Sequence, residues 1–140
     1  MTHHNCDICI IGGGSGGLSL AAGAAQMGAK ILLFEAGAMG GDCLNSGCVP
    51  SKALLAAAKA AHHAKGAPRM GVIGSPPQID FPSVKAHVAT VIDGISPHDS
   101  IERFEALGVT VISENATFTG PREVASKNHK VRAKYFVIAT

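Results

Sequence analysis

The segment GGDCLNSGCVPSK, Gly40 to Lys52, puts two cysteines and a lysine in one short stretch. Cys43 and Cys48 could be a redox-active disulfide, half of a metal site, or two small apolar residues at a helix start. A bridge needs Cα atoms roughly 4.4–6.8 Å apart. Residues five apart lie about 8.6 Å apart in a regular helix and ~16 Å apart in a strand. The pair can therefore close only if LNSG curls more tightly than a helix, which Asn45, Ser46 and Gly47 tolerate. Cys48 lies just before Pro50, at the expected N-terminus of a helix, where the dipole favours thiolate over thiol. Lys52 falls four residues on, on the same helix face, where its ammonium would stabilise that thiolate.

A second constellation precedes it. Gly12, Gly14 and Gly17 fit G-x-G-x-x-G, the pattern in which glycine permits a tight turn, close approach of a pyrophosphate and close helix–strand packing. Ser15 falls within the turn, and the freed amides and dipole at the helix start would hold the anion. The context is the required one: an apolar strand, Asp7–Ile11, comes before, a helix, Gly17–Met27, follows and closes at Gly28, and a strand, Lys30–Glu35, comes next. Glu35, 18 residues past Gly17, is placed to accept the hydrogen bonds of a ribose diol and would repel a 2′-phosphate. The fingerprint does not separate FAD from NAD, which share the adenosine diphosphate half.

This βαβ unit implies an α/β fold with a parallel sheet. A second helix is expected over Pro50–Lys65, with His62 and His63 on its surface, ended by Gly66 and Pro68. Residues 66–82 read as a loop by composition, and 83–95 as a helix. Residues 96–108 read as another helix, with Ser96 as N-cap, Pro97 at the first helical position and Asp99 at the third. From Val109 the pattern turns to strands, with turns at TGPR and SKNH, and closes on YFVIAT as a buried strand; an incomplete domain is expected. The 140 residues carry a net charge of +2, with 16% charged residues, 4% aromatics and no tryptophan. Neither a basic stripe nor a stacking platform for nucleic acid is present. The uncharged run Ile8–Ala29 is too rich in glycine for a membrane span, and MTHHNCD lacks the features of a secretory signal. A soluble, cytoplasmic protein with reduced or catalytic thiols is expected.

The glycine fingerprint, FEAG at Phe34–Gly37, GGDCLNSGCVPSK and YFVIAT together resemble the FAD-dependent pyridine nucleotide–disulfide oxidoreductases. The class that includes dihydrolipoamide dehydrogenase, glutathione reductase and mercuric reductase is the most similar, and residues 80–109 lean towards the mercuric-reductase-like branch. The resemblance implies a Rossmann-like FAD-binding domain of parallel sheet and helices, plus a small antiparallel β-meander. It implies that Gly12, Gly14, Ser15 and Gly17 hold the FAD pyrophosphate and Glu35 the adenosine ribose, with Ala36, Gly41, Ala116 and Thr140 also at the cofactor. Cys48 matches the thiol beside the flavin, Cys43 the interchange thiol that attacks the substrate, and Lys52 the lysine near the flavin's reactive nitrogen. Electrons would pass from NAD(P)H through FAD to a Cys43–Cys48 disulfide, and on to a disulfide or metal-ion substrate, in a homodimeric parent. The family's pyridine nucleotide domain, interface domain and His–Glu pair have no counterpart in these residues, so the chain alone is expected not to turn over NADPH. Asp42 departs from the family, which usually has threonine there; a carboxylate beside a pyrophosphate is unfavourable.

Two other readings fit parts of the chain. Cys6 and Cys9 form C-x-x-C, so the four cysteines could make a zinc site, although Cys9 belongs to the first strand and the fingerprint would go unexplained. The chain could also be a non-enzymatic dinucleotide-binding module with incidental cysteines.

Overall fold

A computed structural model describes residues 1–140. One six-stranded sheet runs through the chain in the order β3-β2-β1-β6-β5-β4. Its parallel half comprises β1 (Thr2–Ile11), β2 (Ile31–Phe34), β3 (Thr110–Ile112) and β6 (His129–Ile138), and β4 (Thr117–Gly120) and β5 (Glu123–Ala125) add antiparallel to β6. The α/β assignment with a meander therefore holds, and the meander is continuous with the parallel sheet because β6 belongs to both. β1 is longer than its apolar run predicts: it continues back to Thr2 by pairing with β6 from Thr2↔His129 onward.

Two apolar clusters lie on the two faces. On one, α1 (Ser15–Gln26) contributes Leu18 and Ala21, and α5 (Ile101–Ala106) contributes Phe104, against Ile10, Ile31 and Leu33. On the other, Cys9, Leu32, Phe34 and Ile112 meet Val124, Val131 and Ala133. β2 is buried at all four positions, as a strand between two parallel neighbours must be. YFVIAT is not the buried strand its composition suggests. β5 pairs with β6 only over Lys130–Arg132, so the far end of β6 has β1 on one side and no strand on the other, leaving Tyr135 and Ile138 exposed.

Between β2 and β3 the chain forms α2 (Gly41–Asn45), α3 (Cys48–Gly66), a 3-10 turn at Ala67–Met70, α4 (Phe81–Ile95), a second 3-10 turn at Ser96–Asp99, and α5. α3 begins at Cys48, two residues ahead of the expected Pro50. Pro50 is tolerated there because first-turn amides have no partner within the helix. α4 likewise begins at Phe81, inside the expected loop, with Pro82 in its first turn. The single helix expected over 96–108 is two elements: Ser100 adopts an extended conformation, and its hydroxyl accepts from the Arg103 amide at 3.2 Å, so Ser100 is the N-cap in place of Ser96. No helix is long and apolar enough to cross a membrane.

Candidate functional site

The glycine turn joins β1 to α1. Gly12 has φ +112°, and a β-carbon there would strike the Ala139 carbonyl beyond β6. A β-carbon at Gly17 would run into the Gly12 carbonyl, so helix and turn touch only because both residues lack side chains. α1 starts behind Gly14 with no side-chain cap and no acid in its first turn. Its leading amides are therefore left to an external acceptor, the arrangement that favours a phosphate. They open on a cleft of about 600 Å³ whose wall includes Gly12, Gly14, Ser15, Glu35, Ala36, Gly41, Cys43, Ala116 and Thr140. Gly17 packs behind the turn, outside the wall.

Glu35 follows β2, and both its oxygens are engaged: the Gly13 amide donates to one and the Gly37 amide to the other, each at 2.6 Å. The acid thus braces the glycine turn while lining the cleft. The residues leading into α2 are locked to the same turn, with the Gly40 amide donating to Gly13 O at 2.9 Å and Gly14 and Gly40 forming a parallel bridge.

From there the chain turns sharply between the two cysteines. The amides of Ser46 and Gly47 both donate to the Asp42 carbonyl, at 3.0 and 2.5 Å, and a β-carbon at Gly47 would lie 2.8 Å from that oxygen. Gly47 thereby lets Cys48 open α3 soon after α2 ends at Asn45. Cys43 is half-buried and Cys48 exposed, both as free thiols. The Cys43 thiol is held above its ordinary value, first because it hydrogen-bonds to Cys48 and then by desolvation, with the Lys52 charge pulling the other way. The structure thus brings Cys43, Cys48 and Lys52 together electrostatically, while Cys43 alone of the three faces the cleft.

Among the cleft residues that sequence reasoning did not assign to the site are Glu114 and Asn115. The Asn128 amide and side chain donate to the Glu114 carboxylate at 3.1 and 2.5 Å, and bonds from Ser126 and Asn128 lower its pKa to about 2. The only available signal was adjacency to Ala116. The other cysteine pair lies in the core. The Asp7 and Ile8 amides both point at Lys30 O, at 2.8 and 3.3 Å, an irregularity that breaks the alternation of β1 and turns Cys6 to the side of Cys9. Cys9 is held protonated by its hydrogen bond to Cys6 and by burial. No three His, Cys, Asp or Glu side chains gather as metal ligands, and the two pairs sit in different layers, so the four-cysteine zinc alternative has no site.

A parallel-sheet unit with a glycine turn, leading straight into two thiols at a helix junction, defines an α/β protein of the Rossmann-like class. The family model described as pyridine nucleotide-disulphide oxidoreductase matches residues 6–140. The chain belongs to that family. It is 37% identical over 146 residues to a mercuric reductase of Streptomyces lividans, covering 100% of this chain and 31% of the relative. It is also 37% identical over 134 residues to a dihydrolipoyl dehydrogenase of Thermus scotoductus, covering 96% and 29%. A mitochondrial dihydrolipoyl dehydrogenase of Arabidopsis thaliana is 37% identical over 142 residues, covering 96% and 28%. The chain thus spans under a third of the length of these curated relatives.

Proposed function

We propose that the chain is the flavin-nucleotide-binding part of an NAD(P)H-dependent disulfide oxidoreductase whose exchange centre is Cys43–Cys48. The observation that carries this reading is the direct splice of the Gly12–Gly17 turn to α2 through the Gly14–Gly40 bridge, which fixes the dithiol beside a cleft suited to a dinucleotide. The residues present fit FAD: α1 offers its uncapped amides to the pyrophosphate, Glu35 and Ala36 line the wall for the adenosine ribose, and Ala116 for adenine. When bound, the flavin supplies the two-electron relay between NAD(P)H and sulfur. Gly41 keeps the entry to α2 close to the turn, and Thr140 lines the same cleft.

The chain's own chemistry is disulfide exchange. Cys43 loses its proton and attacks a sulfur of the substrate disulfide; an S–S bond forms to Cys43 and the first substrate thiolate leaves. Cys48 then displaces the second substrate thiolate, re-forming Cys43–Cys48, so two electrons and two protons have passed to substrate. Lys52 supports the thiolate state by charge and would lie near the flavin. A mercuric ion bound by the same two sulfurs is the alternative acceptor. The pyridine nucleotide and dimerisation domains of a homodimeric, cytoplasmic parent would be supplied outside these residues, so NADPH turnover by the chain alone is not expected.

The test is oxidation of the native chain by one equivalent of diamide, followed by peptide mapping. The expected product is a single Cys43–Cys48 disulfide with Cys6 and Cys9 unmodified; FAD titrated into the same sample should bind. Thiols that resist oxidation while adenosine nucleotides bind would favour the non-enzymatic module.

A further inference from the structure

We infer that Asp42 limits cofactor affinity: its exposed carboxylate, which has no cationic partner, opposes the pyrophosphate at the mouth of α1. The inference rests on the flavin-nucleotide reading of the cleft and concerns a residue that departs from the family pattern.

The cleft wall carries three carboxylates, Glu35, Asp42 and Glu114, and neither lysine nor arginine. An incoming dianion therefore meets backbone amides, the neutral polar side chains of Ser15, Asn115 and Thr140, and three acids, but no cationic side chain. Two of the acids are already engaged, Glu35 by the amides of Gly13 and Gly37 and Glu114 by Asn128. Such bonds fix the carboxylate and offset part of its charge locally. Asp42 differs. It is exposed, its sole side-chain bond is a long one from the Ser46 hydroxyl at 3.4 Å, and it belongs to neither ion pair of the chain, Lys130–Glu123 nor Lys134–Asp7.

Its position makes that charge matter. Gly40 bridges to Gly14, and a β-carbon at Gly41 would lie 2.8 Å from the Gly14 Cα. Asp42 is the next residue, so its carboxylate shares the cleft with the amides that would bind phosphate. Like charges sharing a water-filled cleft, one on the protein and two on the ligand, change an equilibrium by about threefold to tenfold. Salt shortens the reach of this repulsion to about 10 Å at 0.1 M and much less at higher salt.

The experiment is an equilibrium titration of wild type, Asp42→Asn and Asp42→Thr with FAD, ADP and adenosine, at about 20 mM and about 500 mM salt, which span weak and strong screening. Unliganded thermal melts establish that all three are folded. The expected result is FAD and ADP affinity about threefold to tenfold tighter in both variants at low salt. That advantage should shrink towards unity at high salt, and adenosine, which lacks phosphate, should show no difference. If wild type binds FAD and ADP but the variants bind them equally well or more weakly, the carboxylate is neutral or helpful and the inference is overturned while the cofactor reading stands. If none of the three proteins binds FAD or ADP at either salt, the cofactor reading itself fails and takes the inference with it.

Discussion

Cys6 and Cys9 on β1, and Cys43 and Cys48 across the α2–α3 junction, are the same functional group in two surroundings. The first pair is sealed into an apolar cluster with Leu32, Phe34 and Val124, and Cys9 is 0% exposed. The second lies where a five-residue helix ends at Asn45 and a nineteen-residue helix begins behind Gly47, with Cys43 half-buried, Cys48 at the surface and Lys52 one turn on. In both pairs one thiol hydrogen-bonds to its neighbour and is held protonated. Access and nearby charge differ. Cys9 presents no surface to a substrate sulfur and Cys6 only the edge of a shallow pocket beside Arg122 and Arg132, whereas the junction pair has a cleft on one side and a helix N-terminus on the other. Thiol pairing is therefore common to both, and only the elements around the second make it usable.

The strongest way to break this comparison is to put a hydroxyl at each site. Cys9→Ser places an oxygen in a cluster that offers it few partners, and should cost about 2 kcal/mol of stability. Cys48→Ser, at an exposed helix start where serine is well tolerated, should change stability by no more than about 0.5 kcal/mol while abolishing the diamide-induced disulfide. Urea midpoints for both variants decide it; equal losses would mean the two pairs share one structural role.

The two pairs were unequally legible. The glycine turn, α1 and Glu35 depend on local spacing, and Asn45, Ser46 and Gly47 are residue types that tolerate a tight turn, so both could be argued from residues alone. The contact between Cys6 and Cys9 could not. Strand alternation sends residues three apart to opposite faces, and what overrides it is two amides sharing Lys30 O, an acceptor 22 residues beyond Ile8. Glu114 was missed for the same reason, its donor being 14 residues away across the β5–β6 turn. The choice of Ser100 over Ser96 as a cap also depended on the path of the chain, since both serines precede plausible first turns. Local chemistry was readable; partnerships closed by the sheet were not.

Glu114 offers the next test, because the segment it anchors helps cover the core pair. Ala116, two residues on, packs against the cluster that holds Cys9, and Asn128 leads into β6. The Glu114 pKa of about 2 lies below its ordinary 4.5. A depressed carboxylate contributes stability that is fully present above the unfolded value and is lost as pH falls through the folded one. Stability should therefore decline between about pH 4.5 and pH 2, read as urea midpoints that fall with pH across that window. Glu114→Gln, which cannot titrate, should start lower at neutral pH and fall less steeply through that window. Parallel curves for the two proteins would show that the clamp does not contribute.

The smallest expected effect concerns the charge that sets the junction pair apart. Lys52 opposes the two influences that keep Cys43 protonated, its bond to Cys48 and its desolvation. At pH 8 the thiol form dominates, so the alkylation rate follows the thiolate fraction directly. Lys52→Met should slow modification of Cys43 by iodoacetamide about twofold to threefold, a modest factor because water and ions screen an exposed ammonium. Lys52→Arg should restore the rate, and high salt should narrow the gap by slowing wild type more than the methionine variant. Cys9, shielded from solvent and remote from Lys52, should keep its slow rate in every variant. If Cys43 reacts equally fast with methionine, lysine or arginine at position 52, charge has no part in distinguishing the pairs, and access alone separates them.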